Sequence, residues 1–184
     1  MKLRIYDPRI LAIDLRHRRF GFAVYEGHSV LLDWGVRVYP AIGEAEAAMA
    51  SRRLSSLIRL FSPSVMVFKK ERWELSRTNP HMRILVAMVE NQASAHSVQI
   101  RLITDFDVKS SFRNIGCETR EEIAAALARI FPELSSYIPP KRRAWQAEHP
   151  RRTVFEAIAA GLAYWQHPSI DPSAISEGLP PILY

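Results

Sequence analysis

The stretch ILAIDLRHRRFGFAVYEGHSVLLDWGVRVY, residues 10–39, decides the fold that this sequence predicts. It contains three segments rich in β-branched, aromatic and other apolar residues, a composition that favours strands: Ile10 to Leu15, Phe20 to Tyr25 and Val30 to Tyr39. The polar breaks between these segments, residues 17–19 and 26–29, are short enough for hairpins. The stretch therefore predicts an antiparallel meander of three strands.

Helices and strands alternate in the chain that follows. Between residues 43 and 62, apolar residues recur at three- and four-residue steps, which is the period of a helix with one buried face. Val65 to Phe68 reads as a short buried strand that runs into the charged residues 69–71. Asn79-Pro80, as N-cap and first helical residue, predicts a second helix that continues to about His96.

The rest of the sequence predicts the last strand of the sheet and the helices that pack on it. Ile100 to Ile103 predicts a fifth strand, and Thr119 with Glu122 forms a capping box at the start of another helix. A basic loop over residues 137–150 precedes a closing helix from Val154 to Trp165. These elements predict an α/β fold: a mixed five-stranded sheet, with parallel strands after the meander and helices on both faces.

Length and composition indicate a single domain. A chain of 184 residues is long enough for one hydrophobic core and too short for two ordinary ones, so we expect a domain over residues 1–167 and an irregular tail over residues 168–184. Cys117 is the one cysteine, which excludes an internal disulfide and a cysteine-based zinc cluster. No run of about eighteen apolar residues and no signal-peptide core are present, so we expect a soluble cytoplasmic protein without a membrane partner.

The charge of the chain favours a polyanionic partner. Lys and Arg total 25 against 19 acidic residues, which gives a formal net charge of +6. Arg dominates this surplus, and its planar guanidinium suits phosphate, so nucleic acid is the expected partner. The alternative is that the positive charge only keeps the protein soluble.

Two carboxylates are predicted at the carboxyl ends of strands, where ligands gather in α/β sheets. Asp14 ends an otherwise apolar strand, and Glu71 follows the strand that starts at Val65. A carboxylate in such surroundings is costly unless it is paired or binds a cation. A metal ion is one solution, and a salt bridge from Asp14 to Arg16 or Arg18 is the other.

Three pieces of the sequence carry a resemblance to a known family. They are Ile13-Asp14 followed by Arg18 and Phe20-Gly21-Phe22-Ala23-Val24; Asp107-Val108-Lys109 with Phe112, Gly116 and Thr119-Arg120-Glu121-Glu122-Ile123; and Phe155-Glu156-Ala157-Ile158-Ala159-Ala160-Gly161-Leu162-Ala163. In this order they are similar to the opening hairpin, the basic loop with its following helix, and the closing helix of RuvC-type Holliday-junction nucleases. The resemblance covers most of residues 10–165 and implies a ribonuclease-H-like fold.

The resemblance also implies a chemistry. In that family, acids on the first strand, the fourth strand and the last helix hold two magnesium ions that cut a phosphodiester bond by in-line attack of water. Carried over, the implied catalytic residues and ligands of Mg²⁺ or Mn²⁺ are Asp14, Glu71 and Glu156. Hard divalent cations prefer such oxygen ligands and stabilise both the entering and the leaving oxygen. Branched or double-stranded DNA and a homodimer are the implied partners, because a two-fold junction needs two coordinated cuts.

The chain departs from the family pattern at three positions. Arg16 stands where the family usually has Gly, and Lys69 takes the place expected for the fourth-strand acid. If the strand continued, Glu71 would share a face with Lys69 and still reach the same pocket. Thr153 replaces a second acid or a His, and with Glu156 it also matches a capping box, in which Glu156 would only bind a backbone amide.

Basic residues around the expected site are the candidate phosphate contacts. They are Lys69, Lys109, Arg113, Lys141, Arg142, Arg143 and Arg152. Trp73 and Trp145 would either stack on the bases of a distorted junction or be partly buried structural residues. His149 is a weaker candidate for the site, and the alternative is that it is a surface histidine in a loop flanked by proline.

The function that these observations favour is a magnesium-dependent endonuclease acting on branched DNA. A catalytically degenerate nucleic-acid-binding or scaffold protein on the same fold is the first alternative, which Arg16 and the shifted Glu71 favour. A relative of the RuvC-like proteins linked to ribosomal RNA processing is another. The nearly all-apolar segment from Ile84 to Val89 would supply a dimer interface or form a buried core helix.

Overall fold

The computed structural model describes residues 8–39, 44–140, 149–167 and 169–173. One sheet holds five strands, β1 (Arg9–Arg16), β2 (Arg19–Glu26), β3 (Val30–Val38), β4 (Val65–Lys69) and β5 (Gln99–Ile103). Their order is β3-β2-β1-β4-β5. The first three strands pair antiparallel, whereas β4 runs parallel to β1 and β5 runs parallel to β4. The predicted mixed five-stranded sheet is therefore confirmed.

The helices of the described residues are α1 (Glu44–Phe61), α2 (Lys70–Glu74), α3 (Pro80–Ala95), α4 (Asp105–Arg113), α5 (Arg120–Ile130) and α6 (Arg151–Gln166). Short 3-10 turns follow α2 and α5. The predicted N-cap of α3 is confirmed, since the Asn79 side chain accepts a hydrogen bond from the Met82 amide at 3.1 Å. The capping box of Thr119 and Glu122 at the start of α5 is confirmed as well.

Two helices differ from the sequence prediction. The chain leaves the sheet after Lys69 and turns directly into α2, so the predicted extension of the strand toward Glu71 is wrong. The segment that resembles a basic loop after β5 is helix α4, which starts with a capping box between Thr104 and Asp107. A Thr-x-x-Asp signal for this helix was therefore present in the sequence.

The two faces of the sheet carry separate cores. Alternation along β1 directs Ile10 and Ala12 toward α4, α5 and α6, and Leu11 and Ile13 toward α1 and α3. The same alternation holds along β2 and β4. Helices thus cover both faces, as the sequence predicts, and the residue that follows Ala12 on its face is Asp14.

Helix α6 packs closely against the sheet because two glycines leave room. A Cβ on Gly21 would lie 2.1 Å from the Thr153 carbonyl oxygen, and a Cβ on Gly161 would lie 2.3 Å from the Tyr25 ring. The Tyr25 hydroxyl donates a hydrogen bond to the Ile158 carbonyl oxygen at 2.8 Å. The contact at Gly21 places the first turn of α6 above the start of β2, where Gly21 pairs with Asp14 near the end of β1.

The apolar segment of α3 is used inside the domain. Leu85, Val86, Met88 and Val89 are buried in the core that α3 shares with α1, and Ile84 is exposed. A buried core helix therefore accounts for most of this segment, and the homodimer stays a prediction. Within the described residues, no helix is both long and apolar enough to cross a bilayer.

Most of the predicted tail, residues 168–184, lies outside the described residues. Ile170 is described, and it pairs with Leu102 of β5 through two backbone hydrogen bonds of 2.8 Å. The start of this segment therefore lies against the edge strand of the sheet.

Candidate functional site

Asp14 and Lys69 lie side by side at the carboxyl ends of β1 and β4. The parallel register pairs Ile13 with Phe68, which brings the next residue of each strand to a neighbouring position. Both side chains belong to the face that α6 covers. Asp14 is 1% exposed and Lys69 is 5% exposed. A buried charged pair therefore occupies the edge of the sheet where a ligand site is expected.

Glu156 reaches the same place from α6. The helix begins at Arg151, so Glu156 lies in its second turn, where it is buried. Thr153 lies inside the first turn, and its hydroxyl donates a hydrogen bond to the Pro150 carbonyl oxygen at 2.7 Å. The capping box suggested by Thr153 and Glu156 is therefore wrong, because the helix starts earlier than the apolar pattern indicates.

A lysine joins the acids of this edge into one group. Lys69 Nζ contacts Glu156 Oε2, and it lies 2.7 Å from Asp105 Oδ1. Asp105 is the first residue of α4, just beyond the end of β5. Asp14 interacts electrostatically with both Lys69 and Glu156. We call Asp14, Lys69, Asp105 and Glu156 the lysine-centred cluster.

Three arginines contact the cluster from outside. Arg16 Nε donates a hydrogen bond to Asp14 Oδ2 at 2.7 Å, and Arg72 Nε lies 3.9 Å from Asp14 Oδ1. Arg120 Nε lies 3.3 Å from Glu156 Oε1. The salt bridge to Arg16, which was the alternative to a metal ion, is thus present in the structure. Together with the lysine, four cations face the three carboxylates of the cluster.

The pKa shifts follow from burial and from this pairing. Burial raises the pKa of the Asp14 carboxyl, although the Arg16 guanidinium opposes the shift. Burial alone would lower the pKa of Lys69, but the carboxylates of Glu156, Asp14 and Asp105 outweigh that effect and raise it. Burial likewise opposes the ionised form of Asp105, yet Lys69 lowers the pKa of that carboxyl. Lys69 and Asp105 therefore form a charged pair at neutral pH.

Glu71 has a different position from the one predicted. It lies on α2, and its Oε1 accepts a hydrogen bond from the Asp105 amide at 2.8 Å. A carboxylate at this point satisfies an amide at the helix start and interacts favourably with the helix dipole. Glu71 therefore holds the start of α4, and its predicted shared face with Lys69 is wrong because a helical turn follows the strand.

A cleft of about 230 Å³ opens beside the cluster. The charged side chains of its lining are four cations and four carboxylates: Lys69, Lys109, Arg120 and Arg152, and Asp105, Glu118, Glu121 and Glu156. Asp14 lies outside this lining and is almost fully buried. A ligand in the cleft would therefore meet Lys69 and Glu156 before Asp14.

The predicted phosphate contacts are distributed over several elements. Lys109 and Arg152 line the cleft, and Arg152 forms an ion pair with Glu121. Arg113 lies in the last turn of α4. Lys141, Arg142 and Arg143 lie outside the described residues. Of the lysines predicted to contact phosphate, Lys69 and Lys109 line the cleft.

The aromatic candidates and His149 add little to the site. Trp73 is 8% exposed and packs against the Phe68 ring at a centroid distance of 5.5 Å, so its structural alternative is supported. Trp145 lies outside the described residues. His149 is exposed, and its Nδ1 accepts a hydrogen bond from the Arg151 amide at 3.3 Å.

Sequence reasoning missed three residues that contact or belong to the cluster. Asp105 follows β5 at the same edge of the sheet as Asp14, so the rule of strand ends could have found it. Arg72 was missed because α2 was read as strand. Arg120 was missed because a capping box marks where α5 starts but not which neighbour the helix contacts.

The cluster does not fit two divalent cations. The Lys69 ammonium contacts both the Asp105 and the Glu156 carboxylate. Two further ions would add four positive charges where four cations already face three carboxylates, and a buried site cannot compensate such an excess. The ligand roles of Asp14, Glu71 and Glu156 accordingly stay predictions.

Comparison with known proteins finds solved structures with a similar fold. No family model matches the chain, and no curated protein matches its sequence. The chain is similar to Thermus thermophilus RuvC in complex with a Holliday junction substrate, with a TM-score of 0.63, 16% identity, and coverage of 85% of this chain and 92% of that chain. A second Thermus thermophilus RuvC structure has a TM-score of 0.61 at the same identity and coverage. The predicted RuvC-type, ribonuclease-H-like fold is confirmed.

Proposed function

We propose that this chain binds branched, double-stranded DNA at the carboxyl end of its RuvC-type sheet, with the lysine-centred cluster in place of a two-metal centre. The observation that carries the proposal is the charge of that edge, where one lysine and three arginines face three carboxylates. The cleft beside the cluster is lined by equal numbers of cations and carboxylates, so phosphate contacts are expected at the arginines around the cluster. The proposed activity is binding without cleavage.

Two of the three arginines that contact the cluster are partly exposed. The side chain of Arg120 is 48% exposed and that of Arg72 is 30% exposed, whereas Lys69 is buried between its carboxylates. An arginine with an exposed guanidinium can present a fork of N–H donors to a phosphate. Lys69 thus stabilises the acids, and the outer arginines are the expected contacts to the DNA backbone.

The shape of the ligand is suggested by the fold. The RuvC chain with the higher TM-score was solved in complex with a Holliday junction substrate. A shared fold supports such an analogy without establishing it. A four-way junction is therefore the ligand to test first, ahead of linear duplex or structured RNA.

The test compares the affinity of a four-way junction, a linear duplex and a structured RNA at several salt concentrations. We expect the junction to bind most tightly, with the logarithm of affinity falling linearly with the logarithm of salt concentration. Arg72→Gln and Arg120→Gln should each weaken binding and reduce that slope by about 1. Arg53→Gln, on the outer surface of α1, is the matched control and should bind as the wild type does.

Two results would contradict this proposal. A salt dependence that neither arginine substitution changes would locate the nucleic-acid contact elsewhere. Tightest binding to structured RNA would favour the ribosomal RNA processing alternative instead.

Metal-dependent cleavage of branched DNA is the second candidate, and one observation favours it. Asp14 Oδ1 is buried and has no hydrogen-bond partner among the described residues, because Arg72 Nε is 3.9 Å away, and a closely bound cation would relieve this state. The assay incubates junction DNA with Mg²⁺, Mn²⁺ or Ca²⁺ and with wild type, Asp14→Asn or Glu156→Gln protein. Cleavage that requires Mg²⁺ or Mn²⁺ and disappears in both variants would establish the nuclease. Retained binding without cleavage would support the binding function.

A further inference from the structure

Three potential metal ligands meet on the side of the sheet opposite the lysine-centred cluster. His17 lies in the turn between β1 and β2, Glu46 lies in the first turn of α1, and His81 lies in the first turn of α3. Three separate elements thus contribute one side chain each. This convergence is independent of the residues considered for nucleic acid.

The distances between the three groups suit coordination. His17 Nδ1 lies 2.8 Å from His81 Nε2 and 3.4 Å from Glu46 Oε1, and His81 Nε2 lies 3.3 Å from the same oxygen. In a tetrahedral zinc site with bonds of about 2.0–2.1 Å, neighbouring ligand atoms lie roughly 3.3 Å apart. Only a small separation of the two imidazoles is needed to admit an ion.

Glu46 has the environment of a ligand. Its side chain is 0% exposed, and its Oε2 is buried without a hydrogen-bond partner among the described residues. Its Oε1 accepts a hydrogen bond from the Arg18 amide at 2.6 Å, which orients the carboxylate toward the two imidazoles. The buried carboxylate therefore directs its charge at the two imidazoles.

We propose that His17, Glu46 and His81 form a site for one divalent transition-metal ion of the zinc class, with a fourth position open to water or a small anion. Imidazole nitrogen with one carboxylate favours zinc, cobalt or nickel over magnesium, which prefers oxygen ligands alone. The side chains of His17 and His81 are 55% and 30% exposed, so solvent can reach the fourth position. The bound ion would fasten the β1–β2 turn to the starts of α1 and α3.

The test uses the full chain, freed of metal with a chelator, and no nucleic acid. Zn²⁺ is titrated calorimetrically, and Co²⁺ is titrated spectroscopically because its visible spectrum reports tetrahedral ligands. We expect one equivalent of either ion to bind, a rise in melting temperature with Zn²⁺, and no competition from Mg²⁺. His17→Ala, His81→Ala and Glu46→Gln should each weaken binding by about 10-fold or more.

The control is His28→Ala, which removes an exposed histidine from the β2–β3 turn and should leave affinity unchanged. His17→Ala is the decisive variant, since its exposed turn position makes it compatible with folding, which circular dichroism verifies. Binding that survives the His17→Ala/His81→Ala double variant would overturn the proposal, and so would a wild type that takes up no metal. Because no DNA is present, this outcome is separate from that of the junction-binding test.

Discussion

Two clusters that contain buried carboxylates lie near the end of β1, one on each side of the sheet, and they differ in charge balance. In the lysine-centred cluster, protein cations already face every carboxylate. On the α1 and α3 side, the single carboxylate of Glu46 faces two imidazoles. In both clusters, side chains from separate elements meet around at least one buried carboxylate. The difference indicates that the ratio of protein cations to carboxylates, more than the closeness of the ligands, decides whether a cluster can accept a metal ion.

The largest expected effect comes from removing the central cation. Lys69→Met leaves Asp14, Asp105 and Glu156 close together without the ammonium that two of them contact. Removing one partner of a buried ion pair costs about 3–5 kcal/mol, so we expect a loss of that order in the free energy of unfolding at pH 7. The loss should shrink toward pH 5 as the carboxyls take up protons. Urea denaturation at both pH values measures it.

Lys70→Met is the matched control for that experiment. Lys70 is the next residue, and its surface ion pair with Glu74 has a separation of 3.7 Å. Such pairs contribute less than about 1 kcal/mol. If the two substitutions had equal effects, the cluster would not depend on its lysine and the contrast between the two sides of the sheet would fail.

A smaller effect of opposite sign is expected at Asp14. Its pKa is raised in the folded state, chiefly by burial, so the ionised carboxyl lowers stability at neutral pH. Asp14→Asn should therefore raise the free energy of unfolding at pH 7. The gain should fade as the pH decreases through the raised pKa, because folded wild type then binds the proton that removes the penalty. Thermal unfolding between pH 7 and pH 4 follows this change.

The control for Asp14 is Glu133→Gln, which neutralises an exposed carboxylate and should change stability by less than about 0.5 kcal/mol. A marked drop in stability for Asp14→Asn would instead mean that the salt bridge with Arg16 outweighs the burial penalty. Asp14 would then be a purely structural ion-pair member.

The smallest effect is expected at Glu71. Glu71→Ala removes the acceptor for the Asp105 amide and should cost about 1 kcal/mol, as the loss of a helix cap does. Glu71→Gln keeps an acceptor oxygen, so it should lower the free energy of unfolding by only a few tenths of the loss expected for Glu71→Ala. Chemical denaturation distinguishes the two variants. If both instead abolished Mn²⁺ binding while leaving stability unchanged, Glu71 would be a metal ligand and no helix cap.

The sheet could be predicted from the sequence because its signals are local. Strand alternation and short polar breaks define β1 to β3, and the N-caps Asn79 and Thr119 mark the starts of α3 and α5. Helix α2 was missed because five residues, Lys70–Glu74, are too few to show a helical period. Local patterns therefore identified the long elements and failed on the shortest one.

The candidate sites were harder to predict because their contacts are not local. Asp14 was found from the cost of a carboxylate at an apolar strand end, and Lys69 was noted where an acid was expected. The contact between Lys69 and Asp105 depends on the parallel register of β4 and β5. No pattern in the sequence predicts that register. His17 and His81 are 64 positions apart, and no spacing rule connects them.

The docking of α6 makes folding of this domain depend on distant parts of the chain. Tyr25 and Ile158, which share a hydrogen bond across this interface, are 133 positions apart. Contacts of such separation form slowly, because a long loop must close first. The core beneath α1 and α3 uses residues no later than Leu102 apart from the contact with Ile170, so it can assemble earlier during synthesis. The two sides of the sheet thus become protected at different times, and the apolar row of Ile10 and Ala12 stays open to chaperones until α6 leaves the ribosome.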